Sequence, residues 1–288
     1  MTRDAFAAMA QGGPVLLDGA TGSNLRTAGM PVGVPPEKWI LAHPPALLAL
    51  QRAYVDAGSR ILMTPTFSAN RLALDRFGLA GELAPLNAAL AGLTREAAGG
   101  RALVAGDLST LGQPLEPLGP LSYGQAYDVY REQMEALAEA GVDLLAVETL
   151  MGVDEAAAAL DAAAGCGLPV LCSFSVEADG TLPFGGTALE ALLTAQELGA
   201  SAAGVNCSVG PDQLEAVIRS LAEAAAVPVI AKPNAGLPAI NAQGQAVYSM
   251  GPSGFARHMA VLARAGASLL GGCCGATPDY IRALREAL

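Results

Sequence analysis

Eight short apolar runs, rich in β-branched residues and each ending in small or polar ones, recur along this 288-residue chain. They cover residues 14–21, 60–68, 102–109, 143–150, 169–176, 202–208, 227–236 and 268–275. Between them lie Ala/Leu/Glu-rich stretches with helical periodicity, for example 123–140 and 189–198, and Gly141 and Gly199 stand where such helices stop. Strands alternating with helices predict parallel βαβ units. Eight units in fewer than 300 residues match the count and size of a (β/α)8 TIM barrel, which takes about 250 residues. A doubly wound open sheet is the competing α/β arrangement. It places Gly-x-Gly-x-x-Gly after the first strand, whereas this chain has Asp18-Gly19-Ala20-Thr21-Gly22-Ser23 there. No linker or shift in composition divides residues 1–288, so a single domain is expected, and the Pro- and Gly-rich stretch 112–124 reads as a long loop at the active end.

Apolar residues make up 52% of the chain, yet no uncharged apolar run approaches the roughly 18 residues of a membrane span. The opening Met1-Thr2-Arg3-Asp4 carries an acid and is soon followed by a strand-like run, so no signal sequence is read there. A soluble, cytoplasmic protein is expected. The net charge of −11, with 16 basic residues that never cluster, disfavours nucleic acid as a partner.

Five cysteines, an odd number spread over a long chain, do not read as a secreted disulfide framework. Cys273 and Cys274 stand side by side within Gly271-Gly272-Cys273-Cys274-Gly275, and Cys207 ends the sixth apolar run. Two adjacent cysteines on an extended backbone cannot both face one point unless the chain kinks, and the flanking glycines allow that. The pattern asks for three thiolates converging on one soft metal, Zn²⁺. Cys166 and Cys172 read instead as small buried hydrophobes.

In a (β/α)8 barrel the chemistry sits at the C-terminal ends of the strands. Asp18, Thr64, Thr66, Asp107, Glu148, Asn206, Cys207, Asn234, Cys273 and Cys274 would all meet at that mouth. Glu148 follows Leu144-Leu145-Ala146-Val147, so its carboxylate is expected to be buried, where it is costly unless paired. Lys232 is the one basic residue at a neighbouring strand end. Glu148 and Asp18 are therefore expected to await a ligand's ammonium group, with hydrogen bonding to backbone as the alternative. Asp107 either stabilises its loop or meets the ligand.

Three cysteine ligands leave a fourth zinc position for a substrate sulfur. A free thiol with a pKa near about 8.5 is only a few per cent ionised at neutral pH, and coordination to zinc corrects that. No histidine base is required, and His43 and His258 lie away from the strand ends. A hydrolytic zinc enzyme and a non-catalytic zinc-binding protein are the competing classes. The first is weakened because three thiolates make zinc a poorer Lewis acid. The second needs a closed site, and neither remaining cysteine is placed to close it.

The stretches Leu17-Asp18-Gly19-Ala20-Thr21-Gly22-Ser23, Thr64-Pro65-Thr66-Phe67, Gly141-Val142-Asp143 leading to Glu148-Thr149, Gly204-Val205-Asn206-Cys207-Ser208, Lys232-Pro233-Asn234-Ala235-Gly236 and Gly271-Gly272-Cys273-Cys274-Gly275 together resemble the homocysteine S-methyltransferases. Within that family the likeness is to the homocysteine-binding module of cobalamin-dependent methionine synthase. The resemblance implies a zinc methyltransferase with Cys207, Cys273 and Cys274 as metal ligands and as the catalytic centre. It implies homocysteine held through its ammonium group by Asp18 and Glu148, and through its carboxylate by the amides of Ala20, Thr21, Gly22 and Ser23. Thr66 and Asn206 complete the expected substrate-binding set, and Asn234 is the expected fourth zinc ligand when substrate is absent. Two positions depart from the family pattern: Pro65 stands where Asn is usual, and Ala276 where Thr is usual.

The loop from Gly106 to Gly119 resembles the methionine synthase module. The chain closes soon after the last barrel helix and holds no Asp-x-His-x-x-Gly corrinoid motif. The expected methyl donor is therefore a methyl-corrinoid on a separate protein partner. A free sulfonium such as S-methylmethionine is the alternative, and betaine fits less well.

Overall fold

The computed structural model describes every residue except Ser208 and residues 242–245. Eight parallel strands form one sheet: β1 (Val15–Leu16), β2 (Ile61–Met63), β3 (Leu103–Ser109), β4 (Leu144–Leu150), β5 (Val170–Phe174), β6 (Ala202–Cys207), β7 (Val229–Pro233) and β10 (Ala267–Leu270). Each lies inside a run expected from the sequence or within one residue of it. The sixth expected strand reached Ser208, which lies outside the described residues. Neighbours pair in chain order from β2 round to β10, and β10 pairs with β1. Across the remaining seam, Arg60 N–H donates to Leu16 O at 2.8 Å, and Met63 N–H donates to the Asp18 carboxylate at 2.8 Å. A side chain thus replaces a backbone carbonyl at one rung, and the sheet closes into a (β/α)8 TIM barrel.

Side chains alternate across these strands, as the twofold repeat of a strand requires. Val15, Leu17, Ile61, Met63, Ala105, Leu144, Ala146, Leu171, Ala202, Ile230 and Leu269 fill the interior, together with Phe6 and Ala10 of α1 (Arg3–Gln11), which plugs the N-terminal end. The intervening residues, among them Leu62, Val104, Leu145, Val147, Val205 and Ala231, face the surrounding helices. Those helices include α4 (Pro44–Ala57), α6 (Leu83–Ala98), α7 (Tyr123–Glu139), α8 (Val153–Ala163), α9 (Ala188–Glu197), α10 (Glu215–Ala224), α11 (Pro252–Arg264) and α12 (Pro278–Ala287). Capping boxes start two of them where the sequence supplies the pair: Ser122 with Gln125 on α7, and Thr187 with Glu190 on α9. Gly141 and Gly199 are both left-handed, as expected of residues just past a helix end.

Short helices α2 (Gly22–Thr27), α3 (Pro36–Ala42) and α5 (Arg71–Asp75) lie in the loops after β1 and β2. The long loop after β3 is anchored from below by buried Glu155, whose carboxylate accepts from Leu111 N–H and from the Thr110 and Tyr130 hydroxyls. A hairpin of β8 (Pro238–Ile240) and β9 (Ala246–Tyr248), for which the sequence pattern gives no strand signal, is inserted after β7.

Candidate active site

Continuing the inward alternation one step towards the C-terminal ends replaces apolar side chains by polar ones: Asp107 on β3, Glu148 on β4, Ser173 on β5, Asn206 on β6 and Lys232 on β7. All are buried. Lys232 reaches across this layer to Glu148, with Nζ 2.8 Å from Oε2 and 3.8 Å from Asp18 Oδ1. Gly271 makes room for it, since a Cβ there would meet Asp18 O and Leu17 Cβ at 2.8 Å and the Lys232 stem at 3.3 Å. Burial works against the lysine's charge, yet Glu148 and Asp18 hold its pKa well above the ordinary value.

One ammonium faces three carboxyl groups. Burial pushes Asp18 up to about 6 against the pull of Lys232. Burial, and then Glu148, push Asp107 far above the usual carboxylate range, and its Oδ1 has no hydrogen-bond partner. Glu148 is thus paired with Lys232, the basic residue expected at a neighbouring strand end, and the group's surplus is carboxyl.

Beside this layer, the sulfurs of Cys207, Cys273 and Cys274 all lie within 4.8 Å of one another. The backbone holds them there. Cys273 N–H donates to Pro233 O at 2.8 Å and Ala235 N–H to Cys274 O at 2.9 Å, so the segment carrying Asn234 is laced to the cysteine pair. Gly272 leaves no room for a side chain, as a Cβ there would lie 2.3 Å from that of Ala276. Cys207 is left-handed, with φ 60°, and so is Thr149, with φ 64°, at the end of β4. Such backbone in a non-glycine residue costs about 1–3 kcal/mol and persists where its surroundings fix it.

Asn206 does part of that fixing. Its Oδ1 accepts from Thr149 N–H at 2.8 Å and from the Ser173 hydroxyl at 2.9 Å, and its amide donates to the Thr149 hydroxyl at 2.8 Å.

The cysteine trio fits a soft metal. Zn–S bonds of about 2.3 Å in a tetrahedron set sulfurs about 3.8 Å apart, a spacing that these three reach with small shifts. Cys274 is the group most ready to ionise: hydrogen bonds from Cys207 and then Cys273 hold its pKa far down, and Tyr248 adds a third. The same contacts, with burial, push Cys273 up. Among the described residues this is the one group of three or more His, Cys, Asp or Glu placed to hold a metal ion. Cys172 is buried in β5 and Cys166 lies in a turn after α8, and no disulfide joins any of the five cysteines.

A cavity of about 250 Å³ opens over both groups. Ala20, Thr21, Gly22, Ser23, Asp107, Glu148, Lys232 and the three cysteines line it, and Arg26, Glu37, Ile40, Pro65 and Phe67 form its outer part. Several of the expected contact residues lie behind the cavity wall or are engaged with other groups. Thr66 is buried behind the wall, where its hydroxyl donates to Asp107 O and shares a hydrogen bond with Thr64. Asn206 is committed to Thr149 and Ser173. Ala20 N–H donates to Ala276 O at 3.0 Å, which removes it from the amides facing the cavity and leaves Thr21, Gly22 and Ser23. Asp18 supports the layer from beneath rather than lining the cavity. Of the two departures from the family pattern, Pro65 lines the cavity and Ala276 is buried against Gly272.

Sequence reasoning named Lys232 only as a cation at a neighbouring strand end, without assigning it to the site, and missed Tyr248 altogether. Lys232 could have been found by extending the inward alternation of β7, whereas Tyr248 carried no signal.

Fold and site define the class as a (β/α)8 barrel with a thiol-lined mouth. The chain belongs to the homocysteine S-methyltransferase family, which it matches over residues 15–288. Similar curated proteins include methionine synthase of Mycobacterium leprae, 32% identical over 290 residues, covering 94% of this chain and 24% of that protein. Methionine synthase of Mycobacterium tuberculosis is 31% identical with the same coverage. The chain thus spans about a quarter of the length of these relatives. Among solved structures, the Escherichia coli homocysteine methyltransferase MmuM in its oxidised form superposes with a TM-score of 0.84 at 23% identity, covering 98% of this chain and 99% of that one. Its metallated form gives 0.82. At that identity the likeness speaks for the fold. No helix among the described residues is long and apolar enough to cross a membrane.

Proposed function

We propose that this chain is a zinc-dependent thiol S-methyltransferase that converts homocysteine to methionine, taking the methyl group from a methyl-corrinoid protein. The observation that carries the reading is the three-sulfur cluster on the wall of a cavity whose floor holds surplus carboxyl groups. Zinc, held by Cys207, Cys273 and Cys274, supplies the ionisation of the substrate thiol and keeps that sulfur nucleophilic.

The chain's own residues do the rest. Glu148 and Asp107 present carboxyl oxygens to the substrate's ammonium group, and Lys232 fixes Glu148 and balances its charge while Asp18 lies 3.8 Å from the same lysine. Thr21, Gly22 and Ser23 offer backbone amides to the substrate carboxylate. These two anchors aim the thiol at the sulfur cluster, which converts binding energy into orientation. The substrate sulfur attacks the methyl carbon, and the donor leaves with the bonding electrons. Asn234, on the segment laced to the cysteine pair, is the residue we propose would complete the ligand set of a bound zinc without substrate. Cysteines that form no disulfide suit a reducing compartment, which supports a cytoplasmic location.

The methyl-corrinoid donor is supported by the loop from Gly106 to Gly119 and by the methionine synthases among the relatives. A direct test incubates the zinc-loaded protein with homocysteine and either S-methylmethionine or a methylated corrinoid protein. Methionine formed with the corrinoid protein alone is the expected result. Equal turnover with the free sulfonium would assign the donor to that class instead.

A further inference from the structure

Tyr248 ends β9, and neither the family pattern nor the proposed chemistry uses it. Its hairpin is tied to the barrel at the root. Met250 N–H donates to Ala235 O at 3.1 Å, Ser249 N–H to Leu237 O at 3.3 Å, and Leu237 N–H to the Ser249 hydroxyl at 3.1 Å. Gly236 makes the turn with φ 87°, and a Cβ there would lie 2.5 Å from the Ser249 oxygen. Tyr248 therefore starts from a fixed origin. Its ring lies flush on Gly275, where a Cβ would come within 2.3 Å of Cδ2, and its hydroxyl hydrogen-bonds the Cys274 sulfur. It is absent from the cavity lining, so it reaches the sulfur from outside the cavity.

We infer that Tyr248 is a positioning residue for the sulfur cluster: its hydroxyl holds Cys274 in place and draws charge from that sulfur, while its ring covers the cluster from outside the cavity. An O–H donor to a charged sulfur is stronger than a neutral hydrogen bond. Partners that hydrogen-bond metal ligands orient them and tune the metal, and losing one typically costs ten- to hundredfold in metal affinity or activity. Gly275 is the complementary half of the device, because any side chain there would lift the ring off Cys274. The two functions separate by substitution, since phenylalanine keeps the cover and loses the donor whereas alanine loses both.

The inference rests on the three-cysteine metal site, and the test distinguishes its failure from the failure of that site. Cobalt(II) is loaded into wild type and Tyr248→Phe, and the sulfur-to-cobalt charge-transfer band is recorded. The expected result is one cobalt per chain in both, with the band of the variant at lower energy because its sulfur has lost a hydrogen bond. In metal-free Tyr248→Ala, alkylation of Cys274 measured against Cys166 in the same sample is expected to rise several-fold over wild type. Cobalt uptake with an unmoved band in Tyr248→Phe would overturn the hydroxyl contact. A wild-type alkylation rate in Tyr248→Ala would overturn the covering role. Wild-type protein that takes up no cobalt would overturn the metal site itself.

Discussion

Glu148 lines the cavity and pairs with Lys232, so one residue at the mouth would carry both structure and the proposed ammonium binding. Its carboxylate is buried beside Lys232, and Asp18 and Asp107 crowd the same cation. Glu148→Gln keeps the shape and removes one charge, so the homocysteine KM should rise about tenfold or more with a smaller change in kcat, in line with the about 1.5–3 kcal/mol of a hydrogen bond to a charged group. An unchanged KM would remove the residue from the ammonium site.

Asp18 yields a pH prediction. Its pKa rises from 3.8 unfolded to about 6 folded, so between those values the folded protein holds a proton that the unfolded chain releases. Its contribution to stability is present below pH 4, falls as pH rises, and is lost above pH 6, a total of about 3 kcal/mol. Asp18→Asn cannot titrate. In the metal-free protein the stability difference should therefore shift towards the variant between pH 4 and 7, read by urea denaturation. A shift in the opposite direction would contradict the assignment. At this scale the sequence revealed which residues sit at strand ends, because apolar runs ending in Asp, Glu, Asn or Cys mark them. It did not reveal how they pair. The Lys232–Glu148 contact spans 84 residues across the barrel, and the commitment of Asn206 depends on the left-handed backbone of Thr149.

Elements were legible in proportion to how much apolar surface they bury. All eight barrel strands announced themselves by compact apolar runs, although the first was expected over 14–21 and forms ladder only at Val15–Leu16. Beyond it the chain leaves the sheet because Gly19 passes tightly against Tyr54 and Ala276, where a Cβ would lie 2.7 Å from an oxygen of each. The β8–β9 hairpin escaped notice for the converse reason. Its strands are three residues long and mostly exposed, so no burial pattern is written into them. Helix α1 was equally silent, yet it closes the barrel floor with Phe6 fully buried among inward strand residues. Phe6→Ala should cost about 3–5 kcal/mol, as large-to-small core substitutions do. The urea midpoint should fall while homocysteine affinity of the folded protein stays near wild type, because the plug lies at the end opposite the site. A midpoint equal to that of wild type would mean that α1 does not seal the core.

At the scale of the whole molecule, the barrel brings residues from β1, β3, β4, β6, β7 and β10 to one mouth, which is why a cluster scattered from residue 18 to residue 274 works as a unit. Apolar side chains fill the interior up to the last inward layer, and the change to polar ones there divides stability from chemistry. The count of strand–helix units made this architecture readable, and the cysteine spacing pointed to the three sulfurs that meet at the mouth. The central claim is that Cys207, Cys273 and Cys274 jointly hold one zinc on which methyl transfer depends. Zinc content and methyl transfer measured together on wild type and Cys207→Ala test it most directly. Wild type should hold one zinc per chain and the variant almost none, with turnover lost. Stoichiometric zinc and full turnover in Cys207→Ala would contradict the account.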